Sequence, residues 1–474
     1  MDHTKRPAND AARIGAARRF LLSGRGLAAQ ALLACPVIIF HVEVAGAAVF
    51  LLLFSVVVVV SDQILATAPS ALFAGLFLIK MHDSYSTFAP LWWVMFFPVA
   101  AFLFHLIRYR QPLRRGRAFW PMAAASAAVT LGGLGAISAK EYFAPGALYH
   151  VLALGFGMLL AYVLLIGYTR PGEDFDLEKF FTRLMVALGL LACFMVLFHY
   201  FENRQWVLAH RTVIPFQWRN NVSSILMLAM PFSFHRAVKR PWWVLAALLM
   251  YLCILLSGSR GGLVFGSVEL LMCVALLLFA DKKRRVLYLI IAGAILLLAL
   301  LFSRQLITFL SPAFTRLLAI LLPGEQEVRE ILYARAVEDF KRSPVFGMGL
   351  GYMGNRDVHA SKEFALCWYH NSLLQVIGSM GLVGAAAFLY QFAARCVIFL
   401  RRRTLFHLTL FAAWIAIEMM SLVNPGVFAP LPYLLIVTMF LVVAEKTDAP
   451  AKKIADAPEK DCRPGQKNSA GVTS

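Results

Sequence analysis

A histidine stands where a long polar stretch of the chain gives way to an apolar one. The polar stretch covers residues 303–369, and His370 opens the apolar window 371–400, in which the small residues at 378–384 favour close helix packing. The positive end of a helix dipole disfavours the imidazolium form, so a histidine there stays neutral and can accept a proton. His370 is therefore a candidate general base. The alternative is a neighbour of the helix cap or a member of an interfacial aromatic belt.

An arginine between two apolar segments is the second candidate. Arg260 lies in residues 257–262, which read Ser-Gly-Ser-Arg-Gly-Gly. The glycines allow close backbone approach, and the helix that follows begins with backbone N–H groups beside a fixed guanidinium. Helix N-termini and guanidinium groups both bind phosphate. We interpret Arg260 as phosphate-binding, in preference to an arginine that only reaches the membrane interface.

Four more arginines are ambiguous when they are taken alone. Residues 325–342 have the spacing of an amphipathic helix, which carries Arg329 and Arg335 among acidic neighbours. A cation on such a helix is more often solvated than bound to a ligand. Taken alone, Arg329 and Arg335 are therefore interpreted as solvated side chains. Arg211 and Arg219 lie in another polar segment and are equally ambiguous.

The rest of the chain is mostly apolar. It is 60% hydrophobic and 15% charged, with a mean hydropathy of +0.71. No soluble domain of this length has such a composition, so we expect an all-α, polytopic bundle of about 12 to 14 transmembrane helices with one large external loop. The apolar windows are 27–41, 44–60, 64–80, 89–107, 118–138, 147–168, 184–200, 221–235, 241–256, 261–280, 286–302, 371–400, 404–422 and 429–444.

Basic residues set the orientation of these windows. Basic clusters occur at 5–25, 108–117, 236–240, 282–285 and 401–403. Each cluster follows an even number of spans, so the positive-inside rule places both termini in the cytoplasm. The net charge of +19 is spread over these loops, which argues against nucleic acid. An anionic substrate would explain the arginines that nevertheless fall on the outward side, namely Arg204, Arg211, Arg219, Arg260, Arg304, Arg316 and Arg329.

These features divide the chain into five predicted parts. Residues 1–26 form a basic cytoplasmic N-terminus, 27–302 a transmembrane bundle, and 303–370 an external loop with amphipathic helices. Residues 371–445 form further transmembrane helices, and 446–474 a disordered cytoplasmic tail. The external loop has no access to ATP, so no nucleotide is expected.

Metal and cofactor motifs are not evident in the sequence. The seven cysteines lie mostly in apolar windows and predict neither disulfides nor a metal site. Residues 344–351 have alternating glycines but no preceding strand, so they predict a loop bend and not a dinucleotide site. Outward carboxylates are scattered over separate loops, at Glu43, Asp83, Glu141, Glu202 and Asp357. We therefore expect no bound metal and no cofactor.

Several short motifs, taken in order, resemble those of bacterial O-antigen ligases. His370 and Asn371, then nine residues, then Gly-Leu-Val-Gly at 381–384 are similar to the signature of that family. Residues 257–262 resemble the start of the broader O-antigen ligase and polymerase domain, and Arg219 with two asparagines resembles its polar lead into the preceding helix.

The resemblance continues into the long loop. In the family an arginine precedes an aromatic residue by four positions, and a Pro-x-x-Gly-x-Gly segment follows. Arg329, Tyr333 and residues 344–349 stand at those spacings, with tyrosine in place of the commoner tryptophan. By motif the resemblance covers roughly residues 215–440.

The resemblance implies a GT-C-like glycosyltransferase of the bacterial inner membrane, acting at its periplasmic face. Such ligases move O-antigen polysaccharide from undecaprenyl pyrophosphate to lipid A-core. The donor brings its own leaving group, so neither nucleotide nor metal is needed. By this resemblance His370 is the general base of an inverting displacement, and Arg260 and Arg329 stabilise the departing pyrophosphate. Further candidates for substrate binding are Arg219, Arg211, Arg335 and Asn371.

Three rival functions remain open. An O-antigen polymerase of the same superfamily is expected to carry two comparable outward loops, whereas one late loop dominates here. A pilin-directed oligosaccharyl ligase shares the domain but uses a protein hydroxyl as acceptor. A transporter of an anionic lipid would need charges at mid-span and broken helices, and few such charges are evident.

Overall fold

The protein is all-helical, as its composition predicts. The described residues contain no β-strand. The computed structural model describes residues 15–80, 89–132, 134, 151–171, 175–318, 328–350, 369–424 and 426–448.

The first half of the chain supplies eight of the helices named here. They are α1 (Gly24–Ile39), α2 (Glu43–Val60), α3 (Ala68–Leu78), α4 (Phe96–Tyr109), α5 (Phe119–Leu131), α6 (Met158–Tyr168), α7 (Leu177–Glu202) and α8 (Arg204–His210). The second half supplies α9 (Arg219–Ala237), α10 (Trp243–Leu256), α11 (Arg260–Ala280), α12 (Arg285–Leu301), α13 (Ser303–Leu318), α14 (Val328–Arg342), α15 (Ser372–Leu400), α16 (Leu405–Met420) and α17 (Leu435–Asp448).

The hydropathy windows locate these helices well. Each of the fourteen predicted windows falls on a described helix. Within the described residues, six helices are long and apolar enough to cross a membrane, or seven if one bent pair is a single span. Helices suit a lipid bilayer because they satisfy their own backbone hydrogen bonds. The number of spans and their orientation stay predictions.

The bundle has a central helix that the sequence did not single out. Residues 222–234 of α9 are all buried, and α9 packs against α7, α10, α11 and α16. Ser223 and Ser224 are compatible with this position because their hydroxyls donate to backbone within the helix, to the carbonyl oxygens of Arg219 and Asn220, each at 2.9 Å. The first residue of α9 therefore stands at the centre of one end of the bundle.

The expectation of few charges within the spans needs correction. Glu269 lies in the middle of α11 with no exposed surface, and neither of its carboxylate oxygens has a hydrogen-bond partner among the described residues. Arg395 of α15 pairs with Glu418 of α16 at 2.7 Å, and the Trp414 indole N–H donates to the same oxygen at 2.8 Å. Hydropathy averages over a window conceal such single charges, because their apolar neighbours dominate the mean.

Helix α15 is broken where a loop segment inserts into it. Gly381 has φ +60° and ψ −152°, far from helical values. At this break the Leu382 N–H donates to the Pro344 carbonyl oxygen at 2.8 Å, and the Met348 N–H donates to the Gly378 carbonyl oxygen at 2.9 Å. The small residues of 378–384 thus allow the loop segment 344–349 and α14 to contact α15 closely. The glycines of residues 344–349 serve this docking, which refines the prediction of a simple loop bend.

Some predicted features lie outside the described residues. They include residues 1–14 and 449–474 of the two termini, and the carboxylates Asp83, Glu141 and Asp357. Helix α17 continues to Asp448, three residues into the segment predicted as a tail.

Candidate active site

His370 lies in a turn immediately before α15. Asn371 is the N-cap of that helix, so His370 precedes the helix by two residues and is a cap neighbour as well as a candidate base. The residue is half-buried and has φ +53°. A non-glycine residue in the left-handed region costs roughly 1–2 kcal/mol, and such a conformation persists where the surroundings fix it.

Asn371 fixes the turn on the helix side. Its Oδ1 accepts the Leu373 N–H at 2.9 Å and the Leu374 N–H at 3.1 Å. These bonds satisfy two backbone donors that a helix start leaves without partners. The geometry gives Asn371 a capping role, whereas the sequence offered it as a candidate for substrate binding.

Tyr369 fixes the turn on the other side. Its side chain is 1% exposed, its backbone N–H donates to Gln375 Oε1 at 3.0 Å, and its hydroxyl donates to Asp339 Oδ2 at 2.6 Å. Gln375 is itself buried and donates to Ser379 Oγ at 2.9 Å. His370 therefore follows a residue that is anchored to both α14 and α15.

Asp339 is a buried acid on the loop helix α14. Burial raises the pKa of its carboxyl, while the bond from the Tyr369 hydroxyl and the charges of Arg335 and Arg342 act in the opposite direction. Its position was detectable in principle, because Leu332, Ala336 and Asp339 follow helical spacing and all three have no exposed surface.

The two loop arginines have different surroundings. Arg335 lies 3.2 Å from Glu338 and 3.8 Å from Asp339, so carboxylates of its own helix contact it. Arg329 is half-buried near the start of α14. Helix α14 packs against α15. Both arginines therefore lie on the helix that contacts α15, which begins two residues after His370.

Arg260 is the first residue of α11. Ser259 is the N-cap, and its Oγ accepts the Gly262 N–H at 3.1 Å. The same hydroxyl donates to Asn220 Oδ1 at 2.7 Å. Gly258 has φ +66°, which makes the sharp turn between α10 and α11. The predicted break before Arg260 is confirmed, and a positive helix end lies beside the guanidinium.

Arg219 is the first residue of α9, one position before the asparagine that Ser259 contacts. The starts of α9 and α11 are joined a second time, because the hydroxyls of Ser223 and Ser257 are 2.7 Å apart. Two helix N-termini, each opening with an arginine, therefore meet at the same end of the bundle. This arrangement favours an anion.

Helix α16 connects this pair to His370. Its last turn touches the start of α11, since a Cβ added at Gly261 would lie 2.6 Å from Met420 Sδ. One residue further on, the Ser421 carbonyl oxygen accepts the Ser372 N–H at 2.9 Å. The structure thus brings the starts of α9, α11 and α15 to one end, and with them Arg219, Arg260 and His370.

Arg211 stands further from this centre. It is exposed and ends α8 in a left-handed conformation. Two residues later Val213 bonds to the Phe309 carbonyl oxygen at 3.1 Å and packs against Gly258. Arg211 therefore borders the turn before α11, at the rim of the site.

No three His, Cys, Asp or Glu side chains group into a metal-binding cluster within the described part of the chain. The described chemistry of the site consists of a histidine, several guanidinium groups and three helix N-termini. Such a set can accept a proton and stabilise a polyanion.

The fold and the site define an integral membrane protein whose helix starts gather cationic groups at one end. Residues 245–389 match the family model described as O-Antigen ligase. The chain thus carries a domain of the O-antigen ligase superfamily. The match includes Arg260, Arg329, Arg335, His370 and Asn371. No curated protein matches the chain.

Members of this superfamily are glycosyltransferase-like enzymes, both ligases and polymerases. The family implies lipid-linked polysaccharide and a membrane location. The match over residues 245–389 thus supports the predicted superfamily.

Proposed function

We propose that the protein is an O-antigen ligase of the bacterial inner membrane, with both termini cytoplasmic and its site facing the periplasm. It transfers O-antigen polysaccharide from undecaprenyl pyrophosphate to lipid A-core. The observation that carries this proposal is the gathering of His370, Arg260 and Arg219 at one end of the bundle, within or beside the superfamily domain.

The reaction is a direct displacement at the anomeric carbon. A hydroxyl oxygen of the acceptor attacks that carbon and forms the new glycosidic bond, while the bond from the anomeric carbon to the pyrophosphate oxygen breaks. The proton of the hydroxyl passes to His370, and the electron pair leaves with undecaprenyl pyrophosphate. Attack opposite the leaving group inverts the anomeric centre. His370 lies two residues before α15 and acts in this reaction as the general base that accepts the proton.

Cationic groups supply the electrostatic part of catalysis. Negative charge grows on the pyrophosphate as the bond breaks, and fixed cations stabilise it most when they need no rearrangement. Arg260 opens α11, and the Ser259 cap fixes that helix start. Arg329 on α14 is the second proposed pyrophosphate ligand, with Arg219 beside Arg260 as a third. Arg335, held by two carboxylates, and Arg211 at the rim have smaller roles. With these cations the transfer proceeds without a divalent metal.

The single late loop favours the ligase over a polymerase. In the described part of that loop, α14 packs on α15 and its following segment docks into the break at Gly381. The described part of this loop is thus joined to the helix that follows His370, which supports a role for the loop at the proposed site.

A reconstituted transfer assay tests the function. Purified protein is given undecaprenyl-pyrophosphate-linked O-antigen and lipid A-core in the presence of a chelator. We expect capped lipopolysaccharide from the parent and from Arg403→Ala, which removes an exposed arginine from the basic cluster 401–403 that is predicted to face the cytoplasm. Arg260→Ala should be inactive or strongly impaired.

Each other outcome has a definite meaning. Lengthened lipid-linked glycan in place of capped lipid A-core would identify a polymerase. Loss of parent activity with chelator would contradict the metal-independent mechanism. Equal activity of Arg260→Ala and Arg403→Ala would remove Arg260 from the site.

A further inference from the structure

A buried hydrogen bond joins the loop helix α14 to the residue before His370. The Tyr369 hydroxyl donates to Asp339 Oδ2 at 2.6 Å, and both side chains are almost fully buried. A distance this short is typical of a hydroxyl bonded to an ionised carboxylate. Thirty positions of chain separate the two residues, so the bond closes the long loop onto the bundle.

The bond belongs to a larger interlock of α14 with α15. The Tyr369 ring fills the space beside Gly378, where an added Cβ would lie 2.9 Å from the ring. The Ala336 carbonyl oxygen borders the same glycine at 3.4 Å. Beyond Arg342, residues 344–349 bond to both sides of the break at Gly381. Helices α14 and α15 are therefore interlocked by packing and by backbone hydrogen bonds, and they form one structural unit.

The backbone of His370 is set by this unit. Its left-handed φ of +53° places it between the anchored Tyr369 and the capping Asn371. Tyr369 is held at two points, through its N–H by Gln375 and through its hydroxyl by Asp339. Loss of the hydroxyl bond leaves the turn attached through α15 alone, and it leaves the buried carboxylate without a donor that satisfies it.

We infer that Tyr369 and Asp339 are positioning residues for the proposed reaction, which hold His370 at the distance and angle that proton transfer requires. The inference rests on the proposed function of His370 as general base. Neither residue touches substrate in this account. Both act through the backbone of the turn, and they also fix α14, which carries Arg329, relative to that base.

Three variants separate this role from a general loss of folding. Tyr369→Phe keeps the ring beside Gly378 and removes only the hydroxyl. Asp339→Leu keeps the branching at Cγ and removes the acceptor, whereas Asp339→Asn has nearly the same size and retains an oxygen that can accept the bond. Glu338→Gln is the matched control, since it changes an exposed carboxylate to an amide on the adjacent residue of α14.

The measurements are kcat and KM for transfer to lipid A-core, with each kcat divided by the fraction of protein that binds the lipid-linked donor. A displacement of about 1 Å can cost a reaction about 10²-fold. We expect Tyr369→Phe and Asp339→Leu to lower kcat by roughly 10- to 100-fold with little change in KM. Asp339→Asn and Glu338→Gln should keep most of the parent's kcat. The double variant of Tyr369→Phe and Asp339→Leu should fall no further than either single variant, because one bond is lost in each case.

Two failures can be told apart. If His370→Ala remains active, the proposed function of His370 fails, whatever the other variants do. If His370→Ala is inactive while Tyr369→Phe and Asp339→Leu keep the parent's kcat, the positioning role is wrong and the proposed function stands. If the variants contain less donor-binding protein but keep the parent's kcat per donor-binding molecule, the two residues act only in folding. That result would also overturn the inference.

Discussion

Replacing Gly381 by alanine tests whether the break in α15 holds the long loop in place. The backbone there has φ +60° and ψ −152°, a region that only glycine adopts readily. An added Cβ would lie 2.6 Å from the carbonyl oxygen of Pro344 and from the carbonyl carbon and oxygen of Val345. These atoms belong to the docked segment, so the methyl group and the segment cannot occupy the same space.

Two contributions set the expected loss of stability. A non-glycine residue in this conformation costs of order 1–3 kcal/mol. Forcing a methyl group into a filled space typically costs about 1–3 kcal/mol. Together they predict a decrease of roughly 2–6 kcal/mol in the free energy of unfolding, reduced where the segment undocks instead. Undocking would release α14 from α15, so transfer activity should fall as well.

Denaturant unfolding of the purified protein in detergent measures this change. Gly293→Ala is the matched control, because Gly293 lies within α12 with no atom within 4 Å of an added Cβ. In a helix interior alanine is favoured over glycine by about 1 kcal/mol, so the control should be equal to the parent or more stable. If Gly381→Ala and Gly293→Ala have the same free energy of unfolding, the interlock does not stabilise the protein and the reasoning is wrong.

Three other predictions concern single contacts. Arg395→Leu should lower the free energy of unfolding by about 3 kcal/mol, the low end for a broken buried pair, because the half-buried Glu418 carboxylate loses its charged partner but keeps the bond from the Trp414 N–H. Adding Glu418→Leu should restore much of that loss in a double-mutant cycle. Ser259→Ala should cost about 1 kcal/mol through loss of the α11 cap, measured by the same unfolding assay. Burial raises the pKa of Asp339, so its ionisation opposes folding as pH rises above the usual value of 3.8. Asparagine does not ionise, so the melting temperature of Asp339→Asn minus that of the parent should increase as the pH rises from 3.8 to the raised pKa of Asp339. Above that pKa the difference should stay constant. A difference that is constant throughout would show that this carboxyl does not titrate as described.

Local sequence patterns were sufficient for the helices and for the ends that carry the site. Windows of apolar residues mark where a helix can satisfy its backbone in lipid, and each one falls on a helix. The glycines around Arg260 marked the turn before α11, and the change from polar to apolar sequence marked the start of α15. Those signals lie within a few residues of the feature they predict.

The contacts between distant segments could not be read in the same way. The bond from Tyr369 to Asp339 depends on how the loop returns to the bundle, and helical spacing around Asp339 shows only that it faces inward. The break at Gly381 depends on a segment more than thirty residues earlier that supplies the hydrogen bonds α15 gives up. The central place of α9 depends on which neighbours surround it, and its own hydropathy is modest because its sequence includes polar residues such as Asn220, Asn221 and Ser223.

The most direct test of the account is the transfer rate of His370→Ala. The purified variant is compared with the parent and with His210→Ala, which removes an exposed histidine from α8. Donor binding is measured on the same preparations. We expect His370→Ala to bind the lipid-linked donor like the parent but to transfer glycan to lipid A-core about 10²- to 10⁴-fold more slowly. His210→Ala should transfer at the parent's rate. Transfer by His370→Ala at the parent's rate would contradict the central claim that this histidine takes the proton of the attacking hydroxyl.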